Sequence, residues 1–148
     1  MINPSLLDSP VKTPLPVEYQ LLSTKKLLVT GAAGFIGGAL LKRLVEYDLD
    51  VVGTVLNQEE ADTLTEVGYK VEILDLASKH SWSSILKNID IVFNIAALFQ
   101  EIEQGEEMYK QVNVDGTLKL AKTAIEVGVE RFVHCSTVGV HGHVKEIP

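Results

Sequence analysis

Cysteine is almost absent: Cys135 stands alone in 148 residues, so no disulfide closes within the chain. A lone thiol among apolar neighbours reads as a small buried hydrophobe in a reducing compartment, and the expected location is cytoplasmic. Positive charge is also scarce. Thirteen Lys and Arg face 20 Asp and Glu, a net charge of −7, which argues against nucleic acid and against an anionic membrane surface as partners. Long apolar runs are missing too. The uncharged stretch Leu27–Leu41 has 15 residues, short of the roughly 20 that a membrane span needs, and Gly31, Gly34, Gly37 and Gly38 interrupt it. Proline is confined largely to one end, with Pro4, Pro10, Pro14 and Pro16 being four of the five. What is present is ordinary globular usage, 46% hydrophobic and 22% charged, in a chain sized for one domain of roughly 100–150 residues.

Residues 1–24 show neither a period of two nor one of 3.6 and are expected to be a leader, extended or disordered. From Lys25 onward, short β-branched runs alternate with amphipathic stretches, the pattern of βαβ units around a parallel sheet. The expected strands are Lys26–Thr30, Asp50–Leu56, Lys70–Leu74, Ile89–Asn94 and Arg131–Ser136. Most are apolar nearly throughout, as strands covered on both faces are. Four helices are expected between them. The first places Phe35, Ile36, Ala39, Leu40, Leu44 and Val45 on one face. The second, near Gln58–Val67, ends at Gly68; the third starts near Ser78 or Ser81 and buries Trp82, Ile85 and Leu86. The fourth runs from about Glu106 to Val127 and stops at Gly128, with Met108, Leu120 and Ile125 expected mostly in the core. Right-handed crossovers then give an α/β fold, a doubly wound parallel sheet of about five strands in order 3-2-1-4-5.

Between the first strand and the first helix lies Thr30-Gly31-Ala32-Ala33-Gly34-Phe35-Ile36-Gly37. Glycines at these spacings permit a tight turn at Gly31, close approach of a pyrophosphate at Gly34, and close packing of the helix at Gly37. The amides of Gly31, Ala33, Gly34, Phe35, Ile36 and Gly37 and the positive end of the helix then face an anion. A dinucleotide is the expected ligand.

The segment Thr-Gly-x-x-Gly-x-x-Gly at 30–37 resembles the cofactor fingerprint of the extended short-chain dehydrogenase/reductases, the NAD-dependent epimerase/dehydratase family. Further segments match in the same order. Asp75-Leu76 resembles the pair beside the adenine ring, and Asn94-Ile95-Ala96-Ala97 the segment lining the nicotinamide. Tyr109-x-x-x-Asn113-Val114-x-Gly116-Thr117 resembles the family's Asn-Val-x-Gly-Thr helix, and Ser136-Thr137-Val138-Gly139-Val140-His141-Gly142 the segment carrying the catalytic hydroxyl. The likeness spans residues 25–146.

It implies a partial NAD(P)-binding Rossmann domain over 25–148, C-terminally incomplete relative to the family. Implied cofactor contacts are Gly31, Ala33, Gly34, Phe35, Ile36, Gly37, Asp75, Leu76, Asn94, Ala96 and Ala97, with Asn57 either on the ribose or in a turn. Thr137 takes the hydroxyl position, with Ser136 the alternative if the register slips by one, and Asn113 ties the fourth helix to the neighbouring strand ends. The family's Tyr-x-x-x-Lys base has no counterpart, since Tyr19, Tyr47, Tyr69 and Tyr109 have no Lys four residues later; its place lies beyond Gly142, on a helix the sequence does not reach. The chain alone is therefore expected to be inactive, a fragment or truncated product of a longer enzyme.

The second strand ends Thr54-Val55-Leu56-Asn57-Gln58, without the carboxylate that binds a ribose 2′-hydroxyl or the Arg that accommodates a 2′-phosphate. The reading favours NAD because no cation awaits a phosphate, and leaves NADP open. His134, His141 and His143 lack the carboxylate or Cys that would complete a metal set, so no metal is expected. His141 stands in the family's Tyr position before Gly142. Glu101, Glu103, Glu106 and Glu107 read as a solvated acidic start of the fourth helix. The expected function is the cofactor half of an epimerase, dehydratase or reductase acting on a nucleotide-sugar or similar small molecule, with homodimer contacts implied through the fourth helix. A non-catalytic NAD(P)-sensing module is the alternative.

Overall fold

A computed structural model describes residues 2–99 and 105–137. Of the residues singled out above, Glu101, Glu103 and the stretch from Val138 to His143 lie outside the described residues. Five parallel strands form one sheet in the order β3-β2-β1-β4-β5: β1 Lys26–Val29, β2 Asp50–Val55, β3 Val71–Ile73, β4 Ile91–Asn94 and β5 Arg131–His134. This is the expected doubly wound order, with strand boundaries one or two residues tighter. The register runs Leu27 beside Val51 and Ile91, and Val29 beside Gly53 and Phe93.

Strand β1 is central and buried on both faces, so its period of two is invisible in an apolar sequence yet decides the packing. Leu27 and Val29 join Leu41 and Leu44 of α1 (Phe35–Glu46) and Leu64 of α2 (Gln58–Glu66) in one layer. Leu28 faces the other way, toward Val92, Trp82, Leu86 of α3 (Ser83–Leu86) and Leu120 of α5 (Thr117–Val127). The fourth helical rod is continuous but not uniform: α4 (Gly105–Tyr109) passes through a π-helical stretch, Lys110–Gly116, into α5. Gly128 ends it with φ +85°, letting the Val129 amide reach Ala124 O at 2.9 Å.

The leader carries two 3-10 turns, Pro4–Leu6 and Val17–Thr24. Leu6 is fully buried in the α1 layer, and Ile2, Leu15 and Leu22 pack partly against it.

Three expectations of burial are corrected. On α1 the buried face is Gly37, Gly38, Leu41 and Leu44, whereas Phe35, Ile36 and Ala39 are exposed. The reason is that Gly37 sits over Gly31 O, which turns the helix so that its first two residues stand at the mouth of the sheet. Ile125 is exposed because it lies about 100° round the helix from core-facing Ala124. Cys135 is exposed rather than buried: it follows β5, the outermost strand among the described residues, and its amide donates to Asn94 O at 3.0 Å.

Candidate functional site

Parallel α/β sheets open a crevice beyond the carboxyl ends of their strands, where the strand order reverses. Here that point lies between β1 and β4, and Thr30 stands in it, fully buried. Its Oγ1 donates to Asn94 Oδ1 (2.9 Å) and accepts from the amides of Ile95 and Ala96 (3.0 Å each). One hydroxyl thus fastens the first residues after β4 to the end of β1. Asn94 Nδ2 in turn lies 3.1 Å from Nδ1 of His134 on β5 and donates to Thr117 Oγ1 of α5 at 3.5 Å. The Asn94 side chain is therefore spent on contacts within the fold.

Gly31 follows with φ +67°, and a Cβ there would come within 2.9 Å of Ala96 Cα. The turn closes through Gly34 N–H to Gly31 O at 3.0 Å and is tied to β2 by Ala32 N–H to Thr54 O at 2.9 Å. A Cβ on Gly37 would lie 2.2 Å from Gly31 O, so the helix start can sit this close only with glycine. The first ladder bond of α1 is Gly38 N–H to Gly34 O at 2.8 Å. The amides of Phe35, Ile36 and Gly37 precede it and belong to the donors that a helix start leaves for a ligand. At Gly34 an added Cβ would meet, among the described residues, Gly31 O at 3.2 Å and nothing else within 4 Å. These residues fit a pyrophosphate cradle.

The remaining candidates line the same edge of the sheet. Ala96 and Ala97 lie in the segment 95–99, which Asn113 holds from the π-helical stretch by accepting from Leu98 N–H (2.7 Å) and donating to Leu98 O (3.0 Å). Asp75 accepts from Ala77 N–H at 2.8 Å, shaping the turn after β3, and Leu76 beside it is buried. Asn57 caps α2 through Oδ1, accepting from Glu60 N–H at 3.0 Å, while the Glu60 carboxylate accepts from Leu56 N–H at 3.1 Å. Ser136 and Thr137 follow β5 and are exposed. Phe35, Ile36, Leu56 and Phe99, all exposed, follow β1, β2 or β4, so an apolar rim borders the crevice. A groove of about 530 Å³ between α2 and β3 lies elsewhere; Asp62, Glu66 and Glu72 make its lining acidic and unsuited to a phosphate.

Sequence reasoning passed over several residues that build this site. Thr30 was legible only as the letter before Gly31. Gln111 Nε2 donates to Ala77 O at 2.9 Å, and Lys119 Nζ donates to Ser78 O and His80 O at 2.8 and 2.6 Å while standing 3.9 Å above the Trp82 ring. Their partners are backbone carbonyls, which leave no mark in a sequence.

The family model described as NAD dependent epimerase/dehydratase family matches residues 27–148. UDP-glucose 4-epimerase of Vibrio cholerae is 33% identical over 123 residues, covering 80% of this chain and 36% of its own length. The dTDP-D-glucose 4,6-dehydratase of Mus musculus is 32% identical over 134 residues, covering 80% of this chain and 37% of its own. The chain thus spans about a third of the length of these curated relatives. Among solved structures, a short-chain dehydrogenase/reductase superfamily protein from Agrobacterium tumefaciens with bound NAD superposes with a TM-score of 0.70 at 26% identity, over 83% of this chain and 36% of that one. A yeast methylglyoxal/isovaleraldehyde reductase complexed with NADPH gives 0.68 at 25% identity, over 76% and 37%. With the strand order, the glycine turn and the family match all falling on the same residues, the chain belongs to the NAD-dependent epimerase/dehydratase family of extended short-chain dehydrogenase/reductases.

Proposed function

We propose that this chain is the NAD(P)-holding portion of an epimerase, dehydratase or reductase acting on a hydroxyl or carbonyl of a small molecule such as a nucleotide-sugar. The observation that carries the reading is the turn after β1, where Gly31 and Gly37 allow close backbone approach and α1 presents the amides of Phe35, Ile36 and Gly37. Gly31, Ala33, Gly34, Phe35, Ile36 and Gly37 take the pyrophosphate. Asp75 and Leu76 border the adenine, and Asn57 lies toward its ribose. Ala96 and Ala97, with the Asn94 backbone, border the nicotinamide. A bound dinucleotide supplies a reversible acceptor for the hydrogen on a carbinol carbon.

The chain's own residues orient and exclude. Asn113 holds the 95–99 segment in place, and the hydroxyl of Thr137, or of Ser136 one residue earlier, hydrogen-bonds the substrate oxygen. No Tyr here is followed four residues later by Lys, so the chain alone has no phenolic base and turns over no substrate. NAD is preferred over NADP. Glu59 and Glu60 stand in the first turn of α2, and residues 44–69 contain no Lys or Arg to meet a 2′-phosphate.

Calorimetric titration of the whole chain with NAD tests the site. Wild type binds; Gly34→Asp abolishes binding, because a carboxylate enters the space the pyrophosphate needs. Gly34 has φ −76°, which any residue adopts, and an added Cβ would meet Gly31 O at 3.2 Å, so circular dichroism of the variant is recorded beside the titration. Unchanged affinity in a folded Gly34→Asp chain would remove the turn from the binding site.

A further inference from the structure

We infer that the leader is a strap that positions the dinucleotide turn, with Asn3 as a positioning residue and Leu6 as its anchor; the inference rests on the function proposed above. The strap lies outside residues 27–148, where the family match falls, yet it touches the turn directly. Asn3 N–H donates to Ala33 O at 2.7 Å, and Asn3 Nδ2 donates to Phe35 O at 3.1 Å. A trans peptide holds its C=O and the next N–H antiparallel, so fixing one fixes the direction of the other. Holding Ala33 O sets the Gly34 amide, which closes the turn onto Gly31 O. Holding Phe35 O sets the Ile36 amide, one of the donors at the start of α1, pointing it away from the strap.

The rest of the strap keeps Asn3 there. Asn3 Oδ1 caps the first 3-10 turn by accepting from Ser5 N–H (3.0 Å), and Lys42 Nζ of α1 donates to Ser5 O (2.6 Å). Leu6 fills the space beside Gly38, where a Cβ would lie 2.7 Å from Leu6 Cδ1. Farther on, Thr13 N–H donates to Glu46 O (2.8 Å) and Lys12 Nζ to Val45 O (3.0 Å), so the strap is fastened at both ends of α1. Surface packing alone needs no contact with the carbonyls of the turn, and the strap makes two.

The effect is preorganisation: apparent affinity falls in proportion to the fraction of molecules whose turn is set for the ligand. Asn3→Ser keeps a hydroxyl to cap the 3-10 turn but is too short to reach Phe35 O. If the set fraction drops to about a fifth, the NAD dissociation constant rises about fivefold. Adenosine, which lacks the pyrophosphate, keeps its affinity in an NMR titration. Lys42→Met, which cuts the tie to Ser5 O from a half-buried helix position and keeps an unbranched side chain there, shifts the same ratio in the same direction and serves if Asn3→Ser fails to fold. NAD binding by wild type with no change in either variant overturns the strap and leaves the proposed function standing. Equal weakening of NAD and adenosine also overturns it, reducing the leader to packing. Failure of wild type to bind NAD overturns both.

Discussion

On one side of the sheet the leader comes up against α1 with a side chain, Leu6 beside Gly38; on the other, the helical rod comes up against the turn after β3 with backbone, Gly116 beside Leu76 O. Both approaches depend on a missing Cβ, but what that Cβ would meet differs. At Gly38 the nearest atom is the tip of a flexible leucine, at 2.7 Å. At Gly116 it is a carbonyl oxygen at 2.6 Å, with Leu76 Cβ at 2.8 Å and Leu76 C at 3.2 Å behind it. A shift of the Leu6 side chain relieves the first contact and leaves a milder approach to Ala32 O at 3.1 Å and Asn3 Cβ at 3.3 Å, whereas only movement of the rod or the turn after β3 relieves the second. The rod side is thus built on backbone that cannot yield, and the leader side on ties that can be broken singly.

Gly116→Ala breaks the comparison at its stiffest point and carries the largest expected effect. Overpacking against backbone costs about 3 kcal/mol, of which about 1 kcal/mol is offset by alanine's better helix propensity. A net loss of about 2 kcal/mol lowers the melting temperature by roughly 4–8 °C in a domain of this size. Differential scanning calorimetry reads it, and an unchanged transition would mean that the rod slides freely past Leu76.

Asn113→Ala tests the same side without overpacking. It leaves the Leu98 N–H and C=O, both part-buried, without their side-chain partner, at a cost of about 1–2 kcal/mol. The loosened segment is 95–99, so hydrogen exchange at the Leu98 amide rises more than the global stability falls. Uniform acceleration across the sheet would instead make Asn113 a general packing residue. On the leader side Gly38→Ala is expected to change unfolding free energy by no more than about 0.5 kcal/mol, since the propensity gain and the displaced Leu6 nearly cancel. A loss matching that of Gly116→Ala erases the distinction between the two sides.

How far the sequence disclosed this arrangement follows the same division. The strand order was legible because a parallel sheet leaves an alternation of apolar runs and amphipathic helices, and the turn at 30–37 because its glycines answer to backbone geometry. The buried face of α1 was misjudged: Phe35 and Ile36 carry the apolar letters of a core face, but the fit of Gly37 over Gly31 O rotates them to the crevice mouth. Cys135 and Ile125 were misplaced because burial depends on which strand is an edge and which side of a helix has a neighbour, neither of which is local. The ties from Gln111, Lys119 and Asn3 end on carbonyls that every residue possesses, so no residue type announces them.

Acid separates the two sides by the smallest expected margin. The Lys12 ammonium hydrogen-bonds and attracts the Asp48 carboxylate, holding Asp48 below its ordinary range. A depressed carboxyl stabilises the folded state fully above its unfolded value, near about 3.9, and the contribution is lost as pH falls through the lower folded value. The pair is exposed, so its contribution is small and salt weakens it further. The rod's ties from Gln111, Asn113 and Lys119 contain no carboxylate. Lowering pH from about 5 to 3 therefore lowers the protection factor of the Thr13 amide, next to Lys12, more than that of Leu98, each rate being referred to the intrinsic rate at the same pH. Asp48→Asn reproduces the lower Thr13 protection at neutral pH and flattens the pH dependence of that protection. An Asp48→Asn chain whose leader still loosens in acid would assign the sensitivity to another carboxylate and leave the Lys12 tie without a role in holding the strap.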